Sequence, residues 1–350
     1  MPSELLDRVE KWATETPTKT MLSFADDKGI VTASLTCAEL NRRVQNLAWL
    51  LVASTAQQSK GLGLKSGDRV LLVYPPGLDF IVAFLACLKA GVVAVPVYPP
   101  DPRKMKKDIS MFVAVTQNCQ AQTALTCSMY YNVKKISAMK EKLLLSNATQ
   151  WPEDLSWVVT DDLVCTKGID PAKHWLTQSP FAESTAFLQY TSGSYVCSKG
   201  VVLSHGNLNH NLSDISSALH AGRDTIEVSW LPQYHDMGLI GSYSRHHLPQ
   251  WWNGGGKQRL WVDKEALEYD GVFRVVEAHG IWNRERNGRP VVCHREKTTA
   301  STSALLTQNT GEEKPDGETG EILISVFSKA QGYYGDEMSE ISAEAFARPR

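Results

Sequence analysis

Residues Arg69 to Val97 read RVLLVYPPGLDFIVAFLACLKAGVVAVPV, and the fold turns on this stretch. Arg69 to Tyr74 is a short apolar run of strand character, and Pro75, Pro76 and Gly77 turn the chain. Phe80 to Ala90 is an apolar helix closed by Gly91, and Val92 to Val97 is a second buried strand. Strand, helix and strand at this spacing predict a parallel sheet covered by helices. Upstream, Leu35 to Ala53 predicts a helix with Thr36 as its cap, Glu39 three residues on, and Leu40, Val44, Leu47 and Leu51 along one face. Downstream, Lys107 to Leu145 is expected to be largely helical. Strands are expected at Trp157–Val159, Thr185–Tyr190, Val201–Leu203 and Val228–Leu231, with a helix capped near Ser204.

The expected fold class is therefore α/β, with a doubly wound body built from residues 1–241. Helical and strand periodicity both vanish over 242–258, which predicts an irregular junction. In 259–350 the stretch Arg284 to Gln308 is polar and basic, and strand-like alternation returns at Glu321 to Ser325. There are no internal repeats.

At 43% hydrophobic, 350 residues suffice for a large core. A net charge of −2 argues against a nucleic-acid-binding surface. The seven cysteines form no C-x-x-C pair, which suggests neither a disulfide framework nor a zinc ribbon and points to a reducing compartment. Met1 to Thr20 lacks the apolar core of a signal peptide. The most apolar stretch, Ile81 to Val97, contains Lys89 and Gly91 and falls short of the ~20 residues of a spanning helix. A soluble, cytoplasmic protein without a membrane span is expected.

Two stretches carry chemistry. Tyr190 to Val201 reads Tyr-Thr-Ser-Gly-Ser-Tyr-Val-Cys-Ser-Lys-Gly-Val. The hydroxyls and backbone N–H groups of Thr191, Ser192, Gly193 and Ser194 suit a phosphate clamp; Lys199, followed by Gly200, adds a point charge. It is not a Walker A loop, and on residue types alone a structural Ser/Gly turn is an equal reading. His235 and Asp236 follow an expected strand and a proline turn, where an α/β sheet carries its site. A lone His-Asp pair is more often a solvated turn than a catalytic one. His246 and His247 lack a carboxylate or cysteine at ligand spacing, so no metal is assigned to them.

In context the Thr191–Gly200 loop resembles the Ser/Thr/Gly-rich signature of the adenylate-forming superfamily. Leu35-Thr36-Cys37-Ala38-Glu39-Leu40, Leu88-Lys89-Ala90-Gly91 with Val95-Pro96-Val97, Gly320-Glu321-Ile322-Leu323-Ile324 and Gly332-Tyr333-Tyr334 resemble further motifs of its large N-terminal domain, in the right order. Val97-Tyr98-Pro99-Pro100-Asp101-Pro102 and Ser229-Trp230-Leu231-Pro232-Gln233-Tyr234-His235-Asp236-Met237-Gly238-Leu239-Ile240-Gly241 look most like the fatty acyl-AMP ligases. The resemblance implies ATP and Mg²⁺ as cofactors, a fatty acid as substrate, and His235 at the carboxylate pocket. It also implies Lys199 as a catalytic charge, and an acyl carrier protein or a polyketide or fatty-acid synthase downstream.

The sequence departs from the pattern in several places. Tyr195 and Val196 stand where the family has threonine and glycine, and Ser198 where it has proline. The Tyr-Gly-x-x-Glu glutamate that holds magnesium in the family is not found. Leu260 to Leu267 looks like the ligase insertion, and Asn287-Gly288-Arg289-Pro290 like the segment after it. The expectation is a large domain with an internal deletion and without the small C-terminal domain, inactive alone. The alternatives are a non-catalytic nucleotide- or lipid-binding relative and an interaction module of an intact synthetase.

Overall fold

A helix that is apolar on every side has to be enclosed, and the segment quoted first forms one. In a computed structural model of the chain, α3 (Leu78–Ala90) is buried from Phe80 through Lys89. Gly91 closes it in the left-handed region at φ 68°, its N–H bonded to the carbonyls of Cys87 and Leu88. The structure describes residues 4–26, 28–57, 60–101, 105–143, 151–164, 176, 180–190, 199–218, 229, 231–243, 302–306, 321–325, 330–335 and 339.

On one side of α3 lie β3 (Arg69–Leu72) and β4 (Val93–Pro96), paired in parallel as expected. On the other lie α1 (Glu4–Glu15) and α2 (Cys37–Val52). Lys89 reaches out of the core to Glu10 on α1 at 2.7 Å, and the same carboxylate oxygen accepts from Gln45 Nε2 on α2 at 2.8 Å. One carboxylate thus ties three helices together around a buried ammonium. Such a pair contributes little over an apolar replacement, but losing one partner would strand a charge.

The expected helix at Leu35–Ala53 starts two residues later, because Leu35 and Thr36 end a strand. That strand, β2 (Val31–Thr36), pairs antiparallel with β1 (Thr20–Ala25). Thr36 caps α2 as read from the sequence. Its hydroxyl accepts from Glu39 N at 3.2 Å, and the Glu39 carboxylate accepts from Thr36 N at 2.9 Å.

Between Lys107 and Leu145 the chain is largely helical, as expected, but in two helices, α4 (Met105–Cys119) and α5 (Ser128–Leu143), split by a strand that was not expected, β5 (Thr123–Thr126). Gln120 takes φ 54° and breaks the helix. Arg69 Nε caps its last carbonyl, Cys119 O, at 2.9 Å. All four residues of β5 are buried against β3, and an apolar run this short is not separable from helix by period.

The main sheet runs β11–β8–β7–β4–β3–β5–β6, with β6 (Ser156–Val159), β7 (Thr185–Tyr190), β8 (Gly200–Ser204) and β11 (Gly332–Tyr333). Strands β7, β4, β3, β5 and β6 are parallel, whereas β8 and β11 add antiparallel at one edge. From β3 the chain steps to β4 on one side and then returns to β5 on the other, the doubly wound arrangement. A short helix α6 (Asp161–Val164) follows β6, and α7 (His205–Ala218) follows β8. The Ser204 hydroxyl accepts from Asn207 N at 3.1 Å, the expected cap. Within Arg284–Gln308, read as unpatterned, Thr302–Leu306 forms β9, which pairs with β10 (Glu321–Ser325). Ser229 and Leu231, expected in a strand, lie outside any strand. Of the junction expected to be irregular over 242–258, Ser242 and Tyr243 instead end a π-helix, Met237–Tyr243; residues 244–258, the insertion-like stretch Leu260–Leu267 and the Asn287–Pro290 segment fall outside the described residues.

Among the described residues no helix is long and apolar enough to cross a membrane.

Two consequences are measurable. Thr36→Ala should cost about 1 kcal/mol in denaturant unfolding, the usual loss for an N-cap. His205 is 1% exposed and both ring nitrogens lack a partner, and burial depresses its pKa from 6.5 to about 4. Between those values the unfolded chain takes up a proton that the folded chain refuses. Stability is therefore complete above pH 6.5 and falls as pH drops toward 4, by on the order of 3 kcal/mol. In urea melts across this range, His205→Leu should flatten that part of the pH dependence; an unchanged profile would assign it to other groups.

Candidate functional site

The β7–β8 hairpin presents the loop read as a phosphate clamp. Tyr190 ends β7 opposite Gly200, which begins β8, so residues 191–199 connect two strands as expected. Thr191, Ser192, Gly193 and Ser194 lie outside the described residues; Lys199 and Gly200 form the described exit. Lys199 Nζ sits 4.8 Å from the centroid of the Tyr333 ring, a cation–π contact at the sheet edge. Tyr334 N donates to Gly200 O at 2.7 Å and Gln331 N to Val202 O at 3.0 Å, so the Gly-Tyr-Tyr segment is stitched to the loop's exit.

Gly200 has a packing reason to be glycine. A Cβ there would stand 2.8 Å from Cζ of Tyr190. That ring is not free to swing, because its hydroxyl donates to Asn118 Oδ1 at 2.5 Å.

His235 follows the turn at Leu231–Tyr234 and precedes a π-helix, Met237–Tyr243. Pro232 O accepts from His235 N at 3.1 Å, and His235 O accepts from Leu239 N at 2.8 Å. A Cβ on Gly238 would lie 2.1 Å from Pro232 O, so the turn requires glycine there. His235 Nδ1 lies 2.5 Å from Asp236 Oδ1, with both side chains more than half exposed. The carboxylate can only accept, so Nδ1 carries a proton toward it and Nε2 faces away from this contact.

Three contacts fix this turn against the carboxyl edge of the sheet. Gln189 Nε2, one residue before the end of β7, donates to Tyr234 O at 3.1 Å. Tyr98, just past β4, meets Tyr234 edge-to-face at 5.3 Å between centroids. Gln233 bonds Gly77, just past β3. Burial, and secondarily Tyr98, raises the pKa of the Tyr234 phenol, keeping it a neutral donor. The histidine turn therefore lies at the ends of β3, β4 and β7, where open α/β sheets bind ligands.

Gln189, Tyr98 and Tyr333 were not singled out as site residues from the sequence. Tyr98 and Tyr333 lay inside quoted motifs, but nothing in residue type or spacing distinguishes a supporting residue from a surface one. A separate cavity of about 340 Å³ opens beside Tyr74, Asp79, Cys127 and Asp161 and includes neither Lys199 nor His235. Among the described residues no group of three or more His, Cys, Asp or Glu side chains is placed to hold a metal ion. His246 and His247 lie outside the described residues.

This arrangement has relatives. The chain is 37% identical over 173 residues to the medium-chain-fatty-acid acyl-carrier-protein ligase JamA of Moorena producens, covering 49% of this chain and 27% of that one. It is 31% identical over 241 residues to the long-chain-fatty-acid–AMP ligase FadD32 of Mycolicibacterium smegmatis, covering 68% of this chain and 35% of that one. The chain thus matches only about a third of the length of these relatives. The structure of a fatty acyl-adenylate ligase from L. pneumophila superposes with a TM-score of 0.69 over 97% of this chain and 71% of that chain at 21% identity, which establishes the shared fold. The model of the AMP-binding enzyme family matches residues 9–245. With more than half its length so matched, the chain belongs to the AMP-binding enzyme family.

Proposed function

We propose that this chain is the nucleotide- and acyl-binding portion of a fatty-acid adenylating enzyme, which joins a carboxylate to ATP as acyl-AMP and releases pyrophosphate. The observation that carries this reading is the Gln189–Tyr234 bond, which holds the histidine turn at the end of β7, the strand that leads into the proposed phosphate clamp.

Two anions must meet in such a reaction, so neutralising charge is the first requirement. Thr191, Ser192, Gly193, Ser194 and Gly200 would line the phosphates of ATP, and Lys199 would supply the positive charge. The Lys199 ammonium suits that role because a ring face holds it without neutralising it, leaving it available to a phosphate. His235 would orient the fatty-acid carboxylate toward the α-phosphorus. Attack by the carboxylate oxygen forms the acyl–phosphate bond and breaks the bond to pyrophosphate, which leaves with its electron pair. Magnesium, expected from the family, would add charge neutralisation; it has no assigned ligand among the described residues.

On this reading residues 1–241 form the AMP-binding portion, 242–258 a junction, and 259–350 the later large-domain segments. Of the last, β11 closes the edge of the main sheet. The acyl acceptor would be a carrier protein, the acceptor named for JamA, and the compartment the cytoplasm. A second reading, binding without turnover, is favoured by Tyr195 and Val196: a β-branched residue does not take the conformations open to the family's glycine.

Calorimetry with ATP separates these from a purely structural hairpin. Lys199→Ala should weaken ATP about tenfold or more, in line with losing a charge-assisted bond. Val196→Gly combined with Tyr195→Thr should tighten it. Equal ATP affinity in wild type and Lys199→Ala would remove the clamp assignment.

A further inference from the structure

Gln233 is 3% exposed, yet it bears a polar group. Its amide both donates to and accepts from the backbone of one residue. Gly77 N donates to Oε1 at 2.8 Å, and Nε2 donates to Gly77 O at 2.9 Å. Gly77 is extended, at φ 164° and ψ 175°, so its N–H and C=O point the same way, as in a hydrogen-bonded strand pair. The glutamine amide thus stands in for a missing strand across 156 residues of sequence.

Gly77 is firm ground. It closely follows Val73 and Tyr74, both buried just past β3, and directly precedes α3. Gln233 is two residues before His235, and the backbone between them is held otherwise by the Gln189 bond and the Tyr98 ring.

We propose that the Gln233 amide is a positioning residue for His235, and that recognition of the acyl carboxylate depends on its two-bond clamp to Gly77. The proposal rests on the function assigned above. Only a planar group with a donor and an acceptor side by side can make this clamp. An alkyl side chain would leave both Gly77 groups unpaired, and asparagine is one methylene short.

Gln233→Glu supplies a signature that a merely space-filling role would not. A protonated carboxyl group reproduces both bonds. An ionised one offers two acceptors, one of them against the Gly77 carbonyl. Burial and that carbonyl both push the new acid above its ordinary value of about 4.3. The clamp is then present at low pH and lost as pH rises through the raised pKa. The titratable groups nearby, His235 and Asp236 on the turn, Asp79 and Tyr74 on the β3–α3 side and Tyr98 and Tyr234, are common to both proteins, so the variant-to-wild-type ratio isolates the new carboxyl.

The probe is a fatty-acyl sulfamoyl-adenosine, an uncleavable acyl-AMP mimic, titrated at pH 5 and pH 8, with ATP alone in parallel. Gln233→Glu should match wild type for the mimic at pH 5 and bind about tenfold or more weakly at pH 8, while ATP binding matches wild type at both. Gln233→Leu should be weak for the mimic at both. Equal mimic affinity of Gln233→Glu and wild type at pH 8, or an equal loss at both pH values, overturns the proposal. If wild type does not bind the mimic, the functional reading fails. The His235 ring resonances then decide the clamp: a spectrum that differs between Gln233→Glu and wild type at pH 8 but not at pH 5 upholds it, and identical spectra overturn it.

Discussion

The enclosure of α3 is the constraint on which the other features hang. A helix apolar on all sides has no face for water, so it must have the sheet beneath it and helices above. The strands on either side of it in sequence, β3 and β4, are then forced into parallel register. That register fixes where the strands end. Pro75-Pro76-Gly77 after β3 and Tyr98 after β4 come to the same edge of the sheet, and β7, parallel to β4, delivers Gln189 and Tyr190 there as well. The candidate site is built from what the core leaves at that edge. Even the buried charge on α3, Lys89, is answered by Glu10 and so fastens α1 to the same layer.

Much of this was legible because the deciding signals are local. The α3 boundary at Gly91 and the Thr36–Glu39 capping box depend on residues within four positions of each other. What was not legible depends on distant partners. β5 is a strand because β3 offers it an edge, and the Thr-Ala-Leu-Thr run alone does not separate it from the helices on both sides. The β1–β2 hairpin did carry a signal, since Asp26 Oδ1 accepts from Lys28 N and Ile30 N beside Gly29 at φ 78°, but the flanking residues do not alternate cleanly.

The site shows the same division. His235, Lys199 and the hydroxyl loop stand out by residue type. The residues that hold them do so through contacts spanning 45 and 156 positions, and no period or motif encodes such a contact. Gln189, Gln233 and Tyr333 each look like ordinary polar or aromatic positions until the strands are placed. Once placed, they explain how the turn keeps a histidine at the ends of β3 and β7.

The most direct test of the account is where ATP leaves its mark. Hydrogen–deuterium exchange of the whole chain with and without ATP should show protection confined to the β7–β8 hairpin and to the 331–334 segment that bonds its exit. Protection centred on the Tyr74–Asp79 cavity instead, or no protection at the hairpin with ATP saturating, would contradict it.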